Sequence, residues 1–300
     1  MSKILVTGGS GQVGKELQKI LPDATYISSK DCNLADEGNV ISLMTNTKYN
    51  TVIHLAAKVG GIIDNIKKPH DYFIENIKMN TNIIDWSLVT GVERFIGILS
   101  TCIYPDVMDT YPMLEEDLHS GPPTPTNFSY GYAKRCMAVQ IDACNKQFDT
   151  KYNYITPSNL YGEYDKFGSN SHFIAALVNK IIDAEKNNKK EIKLFGTGKP
   201  LRQFMHAEDL ANIIAIMILD NIYENFNIAP EELFSINDMA KIALEITGHN
   251  DWTISYDKSK PDGQYRKDVS IKKFRKYFSN YEFIKLEDGI KRVYNYLKKR

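Results

Sequence analysis

The sequence predicts an α/β fold, a doubly wound parallel sheet followed by a smaller α/β C-terminal unit. Three observations carry this. Short apolar runs rich in β-branched residues at 3–7, 51–55 and 94–99 alternate with longer segments of helical character. The first run passes at once into GGSGQVG, whose Gly8, Gly11 and Gly14 are spaced by three, and then into a helical stretch at 15–20. Beyond residue 165 the alternation loosens, and strands and helices follow one another without a regular order.

Composition narrows the class. A chain of 300 residues with 43% hydrophobic and 25% charged residues can bury a sizeable core. Lys plus Arg equals Asp plus Glu at 37 each, so no global field recruits nucleic acid or an anionic membrane. The basic end KRVYNYLKKR complements the dipole of its own helix. Cysteines at 32, 102, 136 and 144 show neither metal-ligand spacing nor a disulfide framework, which fits a reducing compartment. Met-Ser-Lys runs straight into a strand with no apolar leader, and the expectation is a cytoplasmic protein.

Each element has its own reason. A strand, a glycine turn and a helix in succession form a dinucleotide fingerprint: glycines let the backbone approach a pyrophosphate, and the helix N-terminus supplies free amides. The second strand, 24–28, ends in SSKDCN, where Ser29 and Lys30 offer a hydroxyl and an ammonium to a ribose 2′-phosphate. This predicts NADP(H) over NAD(H), although Asp31 is near. His54 lies inside the third strand and reads as a core histidine; the small residues of AAKVGGI follow it. Apolar residues at helical spacing over 69–90 predict a long crossover helix, and the fourth strand, 94–99, delivers Ser100, Thr101 and Cys102 to the carboxyl edge of the sheet. At that edge Cys102 reads either as a reactive thiol or as a small buried hydrophobe.

After an irregular proline-rich loop comes SYGYAKR, in which Tyr130 and Lys134 stand one helical turn apart on one face. An ammonium there is expected to draw the phenol pKa down from about 10 towards neutrality, as proton transfer requires. Tyr132 is two residues from Lys134 and points elsewhere. Further helices are predicted at 130–148, 172–186, 207–219, 235–247 and from 286, with strands at 152–156, 192–195, 226–229 and 252–256. Ser235 is a plausible cap, with Asp238 three residues on. His206, Glu208 and Asp209 resemble a metal cluster, but the acids more simply occupy the first turn of a helix, and no metal is expected.

Together, TGGSGQVG, the strand ending at Ser100, and Tyr130 with Lys134 resemble the extended short-chain dehydrogenase/reductase family, of Rossmann-like fold. HLAAKVGGI, LSTCIYPD, GPPTPTNFSYGYAKR, PSNLYG, SNSHF and FGTGKPLRQF are similar to the GDP-L-fucose synthase branch of that family, from residue 4 to at least SKPDG at 259–263. The resemblance implies an NADPH-dependent 3,5-epimerase and 4-reductase of a GDP-linked 4-keto sugar, GDP-4-keto-6-deoxy-D-mannose or a related sugar such as a heptose. It implies a homodimer, with residues 1–165 binding NADP(H), segments near 200–230 returning to that domain, and 166–300 mainly serving the nucleotide sugar.

Carried over by position, Tyr130 protonates O4 while Lys134 holds the nicotinamide ribose, and Ser100 binds the carbonyl oxygen. Cys102 and His172 are the base and acid of epimerisation. Cofactor contacts are implied at Gly8, Ser10, Gly11, Gln12, Val13, Gly14, Ser29, Lys30, Asn33, Leu34, Ala56, Ala57, Ile98, Lys134, Pro157, Asn159, Leu160 and His172. Substrate contacts fall on Lys180, Phe195, Arg202 and Asp262. Family members often carry arginine and tryptophan where this chain has Lys180 and Phe195. Three rivals share the fold. A 4,6-dehydratase wants an Asp-Glu pair where Cys102 and Ile103 follow Thr101, a 4-epimerase would retain NAD, and a dinucleotide sensor would have lost Ser100, Tyr130 or Lys134.

Overall fold

A computed structural model describes residues 3–168 and 171–300; Ser169 and Asn170, the first two residues of SNSHF, lie outside the described residues. The chain begins with β1 (Ile4–Thr7), α1 (Gln12–Ile20), β2 (Thr25–Ile27), α2 (Glu37–Asn46), β3 (Thr51–His54), α3 (Ile62–Lys67), α4 (Pro69–Val89) and β4 (Arg94–Ile98). After a long connection come α5 (Phe128–Phe148), β5 (Lys151–Pro157), β6 (Asn159–Tyr161) and α6 (Phe173–Lys186). Then follow β7 (Glu191–Phe195), β8 (Leu201–Arg202), β9 (Phe204–His206), α7 (Ala207–Leu219), β10 (Phe226–Ile228) and β11 (Phe234–Ser235). The chain closes with α8 (Ile236–Ile246), β12 (Thr253–Asp257), β13 (Arg266–Lys267), α9 (Lys272–Tyr277) and α10 (Leu286–Lys298).

Six strands form one parallel sheet in the order β10-β5-β4-β3-β1-β2. The order reverses between β1 and β3, which opens a crevice outside their carboxyl ends. Helices cover both faces, so β3 and β4 are buried along their whole length, Thr51, His54 and Arg94 included. α1 packs with α7, while α4 packs with α5. Buried Arg94 joins the start of β4 to the end of α7, donating to the carbonyls of Met217 and Ile222.

The apolar interior forms two clusters. One surrounds the six-stranded sheet and includes α7 and β10. The other gathers Leu177, Val178 and Ile181 of α6, Met239 and Ala243 of α8, and Ile290 and Val293 of α10, beside the parallel pair β7 and β12. Ser235 caps α8 with Asp238 in a reciprocal capping box, as its spacing predicts. His54 is a core histidine: Thr7 and Asn80 hold its two ring nitrogens at 2.8 and 3.0 Å, and burial depresses its pKa to about 3.

Candidate active site

Gly8 leaves β1 with φ +71°, and a β-carbon there would lie 2.8 Å from the backbone nitrogen of Ala56. Glycine is therefore required on both counts, and the turn sits flush against the end of β3. Gly11 caps α1 without a side-chain bond to the first-turn amides, which stay free for an acceptor. The helix begins at Gln12, three residues before the expected start, so the third glycine lies within it. Gln12 also carries a buried amide oxygen with no protein partner. The open cradle and the free helix start fit the phosphates of a dinucleotide.

At the end of β2 the two expected recognition residues part company. Ser29 lines the same cleft, whereas exposed Lys30 does not. Asp31 folds back, accepting from the backbone nitrogen and hydroxyl of Ser28 at 2.8 and 2.7 Å. These bonds hold its carboxyl below the usual range and remove the obvious competitor for a ribose hydroxyl.

β4 ends at Ile98, and Ser100 then caps a short 3-10 turn, Thr101–Ile103, by accepting from the Cys102 amide at 3.3 Å. One turn thus fixes both side chains. Tyr130 enters from the first turns of α5, which can lie against this turn only because residue 131 is glycine. A β-carbon there would sit 2.6 Å from the Cys102 carbonyl and 2.8 Å from Pro123 Cβ. Arg135 fastens the same contact by donating from Nε to the Ile103 carbonyl at 3.0 Å and from Nη1 to the Gly121 carbonyl at 3.0 Å. Tyr132 packs its ring at a tilt against Phe128, with the centroids 4.8 Å apart.

The expected lowering of the Tyr130 pKa does not hold. Burial raises the phenol well above its ordinary value, the neighbouring Cys102 adds to the effect, and the facing Ser100 hydroxyl only partly opposes it. Lys134 is itself buried, its pKa pushed down to about 7, and its Nζ donates to the Ile98 carbonyl at 2.8 Å. The helical spacing does place both groups at the cleft, but burial sets the direction of both shifts, and the ammonium does not draw the phenol down.

His172 is the N-cap of α6, and its Nδ1 lies 2.9 Å from Oδ1 of buried Asp165. Burial disfavours the imidazolium, yet Asp165 outweighs it and the pKa is raised. Cys102 shows the opposite sense. Burial works against the thiolate, but Lys267, Ser100 and Arg202 together hold the thiol below its usual value. Lys267 and Asp165 have no counterpart among the residues read from sequence. Their partners are remote in sequence or belong to an irregular loop, and no spacing rule joins them.

One cleft of about 1050 Å³ collects these groups. Gly8, Ser10, Gly11, Gln12, Val13 and Gly14 line it from the glycine turn, and Ser29, Asn33 and Leu34 from beyond β2. Ala56, Ala57 and Ile98 follow at the ends of β3 and β4, with Pro157, Asn159 and Leu160 beyond. Ser100, Cys102, Tyr130, Lys134 and His172 lie along the same wall, and Lys180, Phe195, Arg202 and Asp262 complete it. Lys180 Nζ stands 5.4 Å from the centre of the half-exposed Phe195 ring, and burial lowers its pKa. Arg202 is buried, with its pKa lowered to about 10. Asp262 is engaged locally, accepting from the amide and hydroxyl of Thr197 at 2.6 and 2.8 Å. His206 is engaged within the protein: its Nδ1 accepts from the Glu208 amide, and Nε2 lies 2.9 Å from Glu163.

Comparison with known proteins agrees with this geometry. Residues 4–229 match the model of the NAD dependent epimerase/dehydratase family. A GDP-L-fucose synthase of Dictyostelium discoideum is 36% identical, over 96% of this chain and 92% of the relative. A GDP-L-colitose synthase of Yersinia pseudotuberculosis is 33% identical, over 98% and 97%. The crystal structure of a GDP-L-fucose synthetase from Naegleria fowleri bound to NADP superposes with a TM-score of 0.87 at 30% identity, covering 99% of this chain and 94% of that one. With its parallel sheet, its glycine turn and these near-full-length relatives, the chain belongs to the NAD dependent epimerase/dehydratase family.

Proposed function

We propose that the protein is an NADPH-dependent epimerase and reductase of a GDP-linked 4-keto sugar, converting GDP-4-keto-6-deoxy-D-mannose to GDP-L-fucose. The observation that carries this is the convergence of Ser100, Cys102, Tyr130, Lys134 and His172 on one cleft whose far end is a dinucleotide cradle. The glycine turn and Ser29 would hold NADPH, with Lys134 at its nicotinamide ribose; when bound, NADPH supplies the hydride that reduces C4.

Tyr130, kept protonated by burial, gives its proton to O4 as charge develops there. Ser100 accepts from the Cys102 amide, which fixes its hydroxyl at the cleft, and with the sugar bound that hydroxyl donates to the carbonyl oxygen. In epimerisation the ketone acidifies C3 and C5. Cys102 takes a proton from one face, the electron pair passes into an enolate held by Ser100 and Tyr130, and His172 returns a proton on the other face. Asp165 occupies Nδ1 of His172, which leaves Nε2 for the sugar. Lys180 and Arg202 supply positive charge for the diphosphate, and Phe195 offers a face to the base.

A second reading, reduction alone of a related sugar such as a GDP-4-keto-heptose, draws on Lys180 and Phe195, which replace the arginine and tryptophan common in the family. Deuterium oxide separates the two. The first reading expects deuterium at C3 and C5 of the product, reduced in Cys102→Ser and His172→Ala; C4 reduction without wash-in in the wild type leaves only a reductase. As a further part of the proposal the enzyme works in the cytoplasm as a homodimer. Exposed Phe73 on α4 and Phe128 and Val139 on α5 provide apolar surface for self-contact, and sedimentation at a dimer mass is the expected result. Among the described residues no helix is long and apolar enough to cross a membrane.

A further inference from the structure

We propose that Lys267 is the positioning residue for the epimerisation base: its ammonium holds the Cys102 sulfur as a thiolate aimed into the cleft. The inference rests on Cys102 acting as that base. Lys267 is 9% exposed, and its Nζ lies 3.1 Å from Cys102 Sγ. Among the described residues that sulfur is the lysine's only hydrogen-bond partner. A buried ammonium is costly unless an anion or several acceptors face it, and a neutral thiol is a poor acceptor. The pair is balanced only when the thiol has lost its proton.

The remaining surroundings of the sulfur point the same way. Ser100 stands at the end of β4, and Asn127 Nδ2 is 3.8 Å from Sγ. Arg202 approaches from β8 and adds positive charge, itself facing Asp262 and Asp106. Tyr130 of α5 and His172 at the start of α6 complete the ring of polar groups. Of these, Lys267 is the cation in hydrogen-bond contact with the sulfur.

The lysine's position is held from both ends. Gln264 donates to the carbonyls of Pro105 and Asp106 at 2.9 and 3.1 Å, which ties the approach to β13 onto the loop that follows Cys102. Beyond β13, Met113 donates to the Asp268 carbonyl and Ser270 donates back to the Met113 carbonyl. Arg266 is occupied by Asp268 at 2.8 Å, and strand alternation sends Lys267 to the opposite side. This stitching spans 165 residues of sequence between Cys102 and Lys267. In the reaction the C–H bond breaks, an S–H bond forms and the electron pair moves to the enolate oxygen; the thiol then returns its proton to water.

The test uses the full chain without substrate. Iodoacetamide alkylation is followed by mass spectrometry of the Cys102 peptide from about pH 5 to about pH 10. The wild type is expected to show a midpoint below that of an ordinary thiol. Lys267→Met raises it by about one unit or more, and Lys267→Arg keeps it low. In deuterium oxide, Lys267→Met loses about tenfold of wash-in near neutral pH and regains it in alkali. Should methionine disturb the fold, Lys267→Gln gives the same comparison. An unchanged alkylation midpoint in the folded variant, with only a raised KM for the nucleotide sugar, would make Lys267 a diphosphate ligand and overturn the proposal. A shifted midpoint in a wild type that washes in no deuterium would defeat the epimerase reading while leaving the lysine and thiol paired.

Discussion

Tyr130 and Lys134 stand one turn apart on α5, yet burial drives their proton affinities in opposite directions. Tyr130 therefore stays protonated in the free enzyme, as the proton donor proposed for O4 must, and Tyr130→Phe should cut kcat for C4 reduction by about 10²–10⁴-fold while NADPH binds normally. Turnover near wild type in that variant would remove Tyr130 from the mechanism. Lys134, held near 7, loses its charge as pH rises through that value. In the free enzyme kcat/KM for NADPH should accordingly fall above about pH 7, and Lys134→Met should abolish that limb of the profile. The positions of these two residues were legible from a four-residue spacing. Their ionisation was not, because a one-turn interval gives no measure of desolvation. Asp165 and Lys267 escaped for another reason: each is defined by a partner that only the folded chain brings near.

At the scale of elements, Gly131 decides whether α5 can touch the turn that bears Cys102. Gly131→Ala inserts a β-carbon against a carbonyl and a proline, and is expected to cost about 1–3 kcal/mol in urea unfolding and to impair reduction and epimerisation together. A variant with wild-type stability and activity would show that the helix can give way. The link between the loop after β6 and α10 makes a pH-dependent prediction. Burial disfavours the Glu163 carboxylate, but His206 and Arg292 outweigh it and hold its pKa at about 2. A depressed carboxyl contributes stability that is present above the usual value near 4.3 and is lost as pH falls towards about 2. Glu163→Gln should flatten that acid dependence and cost about 3 kcal/mol at neutral pH, as seen in urea titrations at several pH values. The long helices α4, α5 and α7 were legible because their apolar periodicity persists over several turns. The six-residue helices α3 and α9 and the two-residue strands β8, β11 and β13 were not, since tertiary contacts define segments shorter than one clear period.

Across the whole molecule, the cleft joins the sheet cluster to the helices packed around α6, α8 and α10. A ligand that binds only the folded chain stabilises it by mass action. NADPH at a hundredfold excess over its Kd should add about 2.7 kcal/mol, and NADH at the same concentration distinctly less. Equal rises in Tm with the two would remove the cofactor preference read from Ser29 and Lys30. The sequence motifs brought nearly every named site residue to this cleft, with exposed Lys30 outside its lining. The buried turn that carries both Ser100 and Cys102 has a longer-range consequence. The groups proposed for hydride chemistry belong to β4 and α5, whereas Lys180, Phe195 and Arg202 hang from α6, β7 and β8. On the function proposed above, substitution in those later elements can change which sugar is accepted while β4 and α5 keep the groups assigned to reduction.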